Sequence, residues 1–108
     1  MKLWGYPLKI YRNKTLHLPG NLARMYRFDS KTKLIRRELA GGFYFRPYSG
    51  EQLREGETPI SLPSGKITLP TRWMIRNRLT AGKSVLYLTA TEDGFYLLTK
   101  QEFPATIR

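Results

Sequence analysis

Apolar and polar residues alternate with a period of two over two short stretches of this chain, and the two stretches match. Leu16 and Leu18 alternate with Thr15 and His17; Ile67 and Leu69 alternate with Lys66 and Thr68. That period sends successive side chains to opposite faces, so each stretch predicts a half-buried strand. The blocks around them, Asn13-Lys14-Thr15-Leu16-His17-Leu18-Pro19 and Ser64-Gly65-Lys66-Ile67-Thr68-Leu69-Pro70, lie 51 residues apart. Each runs into a short basic-apolar stretch, Leu22 to Phe28 and Trp73 to Leu79. Each later reaches a glycine before aromatics, Gly42-Phe43-Tyr44-Phe45 against Gly94-Phe95-Tyr96-Leu97, here at an offset of 52. A repeat of this size implies that each unit is half a core and needs its twin to close it.

The pattern predicts the following elements. Leu8 to Leu18 is extended, with an interruption near Arg12-Asn13-Lys14. Asn21 caps a helix of about two turns whose apolar face is Leu22, Met25 and Phe28. Lys33 to Leu39 is a strand, and Gly41-Gly42 turns the chain into Phe43-Tyr44-Phe45. Tyr48 to Pro59, poor in apolar residues and carrying Glu51, Glu55 and Glu57, reads as an acidic linker. Ile60 and Leu62 form a short strand, and Pro63-Ser64-Gly65 turns into the second repeat. Pro70 and Thr71 open a second helix with Trp73 and Leu79, which Gly82 closes. Ser84 to Thr91 and Phe95 to Thr99 form a hairpin about Glu92-Asp93-Gly94. Trp73, Phe95 and Tyr96 are assigned to the core. The expected chain is one mainly β domain, 1–108, with two short helices: repeat 8–46, linker 48–59, repeat 60–99, then a tail.

Composition narrows the class. A chain of 108 residues suits one domain, and no apolar run approaches the roughly 18 residues that span a bilayer. The start, Met1 to Pro7, lacks the continuous apolar core of a signal peptide. There is no cysteine, hence no disulfide framework or thiolate metal site, and a reducing cytoplasm is expected. Nineteen Lys and Arg against eight Asp and Glu give a net charge of +11. Residues 1–50 hold eleven basic and two acidic side chains; residues 51–108 hold eight and six. So large and uneven an excess favours a polyanionic partner, nucleic acid first.

From Ser64 to Thr99 the chain resembles the AbrB/SpoVT-type DNA-binding domain. The resemblance rests on Gly65-Lys66-Ile67-Thr68-Leu69-Pro70, Leu79, Gly82, and the hairpin Val85-Leu86-Tyr87-Leu88 to Asp93-Gly94-Phe95-Tyr96-Leu97-Leu98. It reaches Leu8–Arg46 only through the internal repeat. It implies a swapped-hairpin β-barrel built from two half-barrel repeats, here in one chain as in MraZ-type proteins. It also implies contact with duplex DNA through the first loop and short helix of each unit. Those positions are Lys66, Arg72, Arg76 and Arg78, with Lys14, Arg24 and Arg27 in the first unit. Three residues depart from the family pattern: Met74 for a helix arginine, Asn77 for a core leucine, Lys83 for an aspartate.

Other signals are weaker. Gly82-Lys83-Ser84 mimics the end of a phosphate-binding loop, but Asn77 stands where its first glycine belongs and a strand follows. His17, the single histidine, has no acidic neighbour in sequence and is expected on the outer side of its strand. The carboxylates form no acid/base pair, so no enzyme, cofactor or metal is expected. The expected function is a DNA-binding transcriptional regulator, as a monomer, homodimer or higher oligomer, without membrane or small-molecule substrate. Three alternatives stay open: an antitoxin of the same fold, a basic β-barrel for single-stranded RNA, and a module for an acidic protein surface.

Overall fold

The structure is a computed structural model that describes residues 5–27, 31–61 and 65–100. Phe28, Leu62, Pro63, Ser64 and the tail 101–108, all given roles above, lie outside the described residues. Among the described residues, eight strands and two helices follow in the order β1 Tyr6–Lys9, β2 Thr15–His17, α1 Gly20–Tyr26, β3 Lys33–Leu39 and β4 Gly42–Pro47, then β5 Glu57–Ser61, β6 Lys66–Thr68, α2 Thr71–Arg76, β7 Val85–Ala90 and β8 Phe95–Leu98. The fold is mainly β with two short helices. Residues 15–47 run strand, helix, strand, strand, and residues 66–98 do the same.

All pairings are antiparallel. Six strands form one sheet in the order β1-β7-β8-β4-β3-β5, while β2 and β6 form a separate ribbon. The sheet order reads the same from either end once the two halves are exchanged. The edge strand of each half is paired to the hairpin of the other: β1 to β7, and β5 to β3. Two pairings cross between halves with self-matching registers. In the ribbon Leu16 faces Ile67, its counterpart 51 residues on; between β4 and β8 Tyr44 faces Tyr96, its counterpart 52 residues on. An approximate twofold axis therefore passes through both pairs.

The sheet is open. Its edges β1 and β5 are not hydrogen-bonded to each other. Each edge strand carries a proline, Pro7 opposite Tyr87 and Pro59 opposite Ile35. Proline has no N–H to donate, so both edges are poor templates for a further strand.

One face of the sheet carries the core. Phe43, Phe45, Phe95, Leu88 and Leu97 are fully buried there, and each helix crosses to the other half to cover them. Trp73 of α2 lies 4.4 Å from Phe43, and Tyr26 of α1 lies 6.0 Å from Phe95. Phe45 and Phe95 stack across β4 and β8 at 4.9 Å. The Tyr26 hydroxyl donates to the carbonyls of Thr91 and Gly94, and burial pushes its pKa up to about 12. Each buried aromatic contributes roughly 2–3 kcal/mol or more through area alone, so the halves are mutually dependent.

Several local expectations are corrected. Asn21 lies inside α1, because the Leu22 N–H already bonds the Pro19 carbonyl at 3.0 Å. Met25 is 42% exposed, and Tyr26 supplies the inward contact instead. The second helix ends before Gly82. Leu79 N–H bonds Met74 O and Arg78 N–H bonds Ile75 O, closing α2 with Arg78 in the left-handed position usually held by glycine. The linker gives up residues 57–59 to β5, where Glu57 lies opposite Arg37 in register and its carboxylate pairs with Arg46 of β4 at 3.2 Å. Tyr96 is on the outer face, its ring 4.7 Å from Tyr44, because β8 turns Phe95 and Leu97 inward.

The β4–β8 contact leaves no space for side chains at two glycines related by the twofold. A Cβ on Gly42 would lie 2.3 Å from the Leu97 carbonyl oxygen, and one on Gly94 would lie 2.2 Å from that of Phe45. Backbone cannot yield cheaply at such distances. Gly42→Ala and Gly94→Ala are each expected to cost about 2–3 kcal/mol. That corresponds to roughly 10 °C or more in Tm by calorimetry, whereas Gly20→Ala, with open space around it, should leave Tm within a few degrees.

Candidate nucleic-acid interface

The ribbon of β2 and β6 is held at both ends by matching bonds. Leu18 N–H donates to Gly65 O, and Leu69 N–H donates to Lys14 O, each at 2.9 Å. Both carbonyls belong to residues with left-handed backbone, φ 69° at Gly65 and φ 64° at Lys14. Ahead of Lys14 the turn is shaped by Asn13, whose Oδ1 accepts from the Thr15 N–H at 3.3 Å and the Thr15 hydroxyl at 2.5 Å. The helices leave opposite ends of the ribbon, α1 after Leu18-Pro19 and α2 after Leu69-Pro70.

Each of the seven expected contact residues reaches the surface. Lys14 is partly exposed, and its Nζ donates to Thr71 Oγ1 at 2.7 Å, tying the first turn to the start of α2. Lys66 opens β6 opposite His17, and both side chains are exposed. Arg24 is exposed in the last turn of α1, and Arg27 is exposed just beyond it. Arg72 and Arg76 are exposed on α2, and Arg78 is exposed at its end. Arg76 pairs with Glu38 at 3.3 Å, an exposed contact that water and salt weaken. Lys14, Thr71 and neighbouring Arg72 thus share one end of the ribbon, while Arg24 lies on the helix that leaves the other end and Arg27 directly follows that helix.

Among the described residues, the only non-glycine positions with positive φ are Lys14 (64°), Arg27 (57°) and Arg78 (56°). All three belong to the expected contact set. Arg27 and Arg78 are 51 residues apart and end their helices in the same way. A side chain with a Cβ in this conformation costs about 1 kcal/mol relative to glycine, and at the Lys14 position the other half does use glycine, Gly65.

The sequence patterns missed further cations. Lys9, Arg12, Tyr11, Asn13 and Gly82 bound a cleft of about 490 Å3 beside the ribbon. The Tyr11 ring lies 4.6 Å from His17 and 6.0 Å from the Lys9 ammonium. Outward alternation along β1 marks Lys9, but the juxtaposition of Tyr11 and His17 needs the turn between them. Arg46 is engaged elsewhere, paired with Glu51 and Glu57. The backbone N–H of Glu51 itself, the Ser49 hydroxyl and Arg46 hold the Glu51 carboxyl down at about 2. Glu57 is also lowered, first by the Arg54 backbone N–H. The acidic loop therefore neutralises an arginine of the sheet. Among the described residues no cluster of His, Asp and Glu could hold a metal ion, and no helix is long and apolar enough to cross a membrane.

No protein-family model, curated protein or solved structure matches the chain.

A folded-state pKa below the ordinary value stabilises the protein above that ordinary value, and the contribution is lost as pH falls through the lowered one. For Glu51 the window runs from 4.5 down to about 2. Glu51→Gln is expected to flatten this acid limb in a plot of Tm against pH while leaving its shape above pH 6 unchanged. An unaltered acid limb would place the proton uptake on other carboxylates.

Proposed function

We propose that this chain binds duplex DNA as a regulator of transcription, through a twofold-symmetric basic face around the β2–β6 ribbon. The observation that carries the reading is the use of strained cations. Among the described residues, the three non-glycine residues held left-handed are Lys14, at the turn before β2, and Arg27 and Arg78, each at the end of its helix. Folding alone would favour glycine there, so charge at a fixed place explains why lysine and arginine stand instead. Arg27 and Arg78 are exchanged by the twofold axis, the symmetry that B-DNA presents at a palindromic site. Arginines and lysines would contact phosphates, and a subset of the helix-end side chains would reach base edges.

The pairing of each edge strand with the other half's hairpin, and the self-matching registers at Leu16–Ile67 and Tyr44–Tyr96, support an AbrB-like swapped-hairpin origin by duplication. On that reading one chain supplies both half-sites, and the compartment is the cytoplasm. A second reading draws on the outer face of the sheet. There Tyr44 and Tyr96 lie 4.7 Å apart, with the Arg37 guanidinium 5.6 Å from the Tyr44 ring, a pattern suited to stacking unpaired bases.

Two measurements test the proposal. Neutralising about six phosphates should give a slope near −5 for log affinity against log salt. Duplex must also outcompete single strand of the same length; the reverse order would favour the tyrosine face. Separately, Arg27→Gly and Arg78→Gly are each expected to stabilise the fold by about 1 kcal/mol while weakening duplex binding several-fold. A rise in Tm with unchanged affinity would remove these arginines from the interface.

A further inference from the structure

On the covered face of the sheet, the twofold symmetry is broken in charge. The cross-strand row Thr58–Arg36–Phe45–Phe95–Ala90 has as its counterpart Tyr6–Leu88–Leu97–Phe43–Glu38. Arg36 thus occupies the place of the fully buried Leu88, and Glu38 that of Ala90. Glu38 is taken up by Arg76. Arg36 is half-buried with its guanidinium 5.4 Å from the Phe43 ring, and it joins none of the ion pairs among the described residues.

The exchange of leucine for arginine opens onto a cleft of about 450 Å3 between β5 and the ribbon. Arg36 and Lys66 line it, with the hydroxyls of Thr15, Ser61 and Thr68 and a wall from Ile67. Lys66 joins no ion pair among the described residues either. The Thr15 hydroxyl already donates to Asn13, which leaves Ser61 and Thr68 as hydroxyl donors. In the other half, buried Leu8 and Leu88 stand where this cleft has Ile60 and Arg36.

We propose that the Arg36–Lys66 cleft binds a phosphoryl group. A guanidinium offers a planar fork of donors to phosphate oxygens, and its position over an aromatic ring limits its freedom to turn away. The lysine adds a second charge, and two hydroxyls complete the donor set. Two cations suit the dianion of a phosphate monoester better than a single carboxylate. The phosphoryl group comes either from a small monoester, which carries two charges, or from a nucleic-acid strand, whose diesters carry one each; both offer anionic oxygens to the same donors. The proposal does not depend on duplex binding by the strained arginines.

The test is a titration with inorganic phosphate, and then with ribose 5-phosphate, against chloride at matched ionic strength. Amide shifts of β3, β5 and β6 and the Tm are the readouts. The wild-type protein should show a saturable response, and Arg36→Leu should weaken it by at least roughly 10-fold. Arg36→Leu reproduces the twin half and should fold; Arg36→Gln, which keeps a polar side chain, should lose the response as well. A wild type without saturation, or a response preserved in both variants, overturns the proposal. Duplex affinity of Arg36→Leu identifies the source. An unchanged value assigns the cleft to a small monoester, and a parallel loss assigns it to a strand phosphate.

Discussion

The pairing of β4 with β8 is the contact on which the rest of the molecule depends. It joins the central strands of the two hairpins, and it is possible at that separation because glycine stands at both symmetry-related places, Gly42 and Gly94. With the backbones that close, Phe45 and Phe95 stack beneath them, and Phe43 and Leu97 complete the row that the helices cover. Neither half can bury these rings alone. Trp73 covers a ring of the first half and Tyr26 approaches one of the second, so the helices and edge strands are exchanged between halves. Every later feature, including the ribbon and its basic surroundings, follows from this exchange.

The same twofold arrangement explains where backbone strain is stored. The ribbon requires a left-handed residue before each of its strands, and each helix is followed by one. Glycine fills one of these four places, and lysine or arginine fills the other three. The core supplies enough stability to hold them: fully buried aromatics and leucines each contribute more than one left-handed side chain costs. Stability is thereby exchanged for charge at fixed positions, while the acidic loop withdraws Arg46 from the exposed positive charge.

Much of this was legible along the chain. Two-residue alternation at Leu16, Leu18, Ile67 and Leu69 marks strands because burial on one face demands it. Asn13 and Gly65 mark the turns, and the Glu92-Asp93-Gly94 hairpin is local chemistry. The exposure of all seven expected cations also follows from their charge. Other features depended on partners distant in sequence. Residues 57–59 resemble linker until they pair with β3 and Glu57 meets Arg46 of β4. Tyr96 resembles core until Tyr44 claims it on the opposite face. Gly82 resembles a helix stop, but the helix is already closed at Arg78, by Arg78 N–H to Ile75 O and Leu79 N–H to Met74 O.

By itself, then, the sequence determined the strand periods, the turns, the basic character and the internal match, since these arise from side-chain chemistry within a few residues. Only the tertiary structure decided which half each edge strand joins, that the sheet remains open, and that Arg36 lies where its twin is a buried leucine. Those outcomes depend on burial shared between residues some fifty positions apart, and a local pattern carries no information about which surface will cover it.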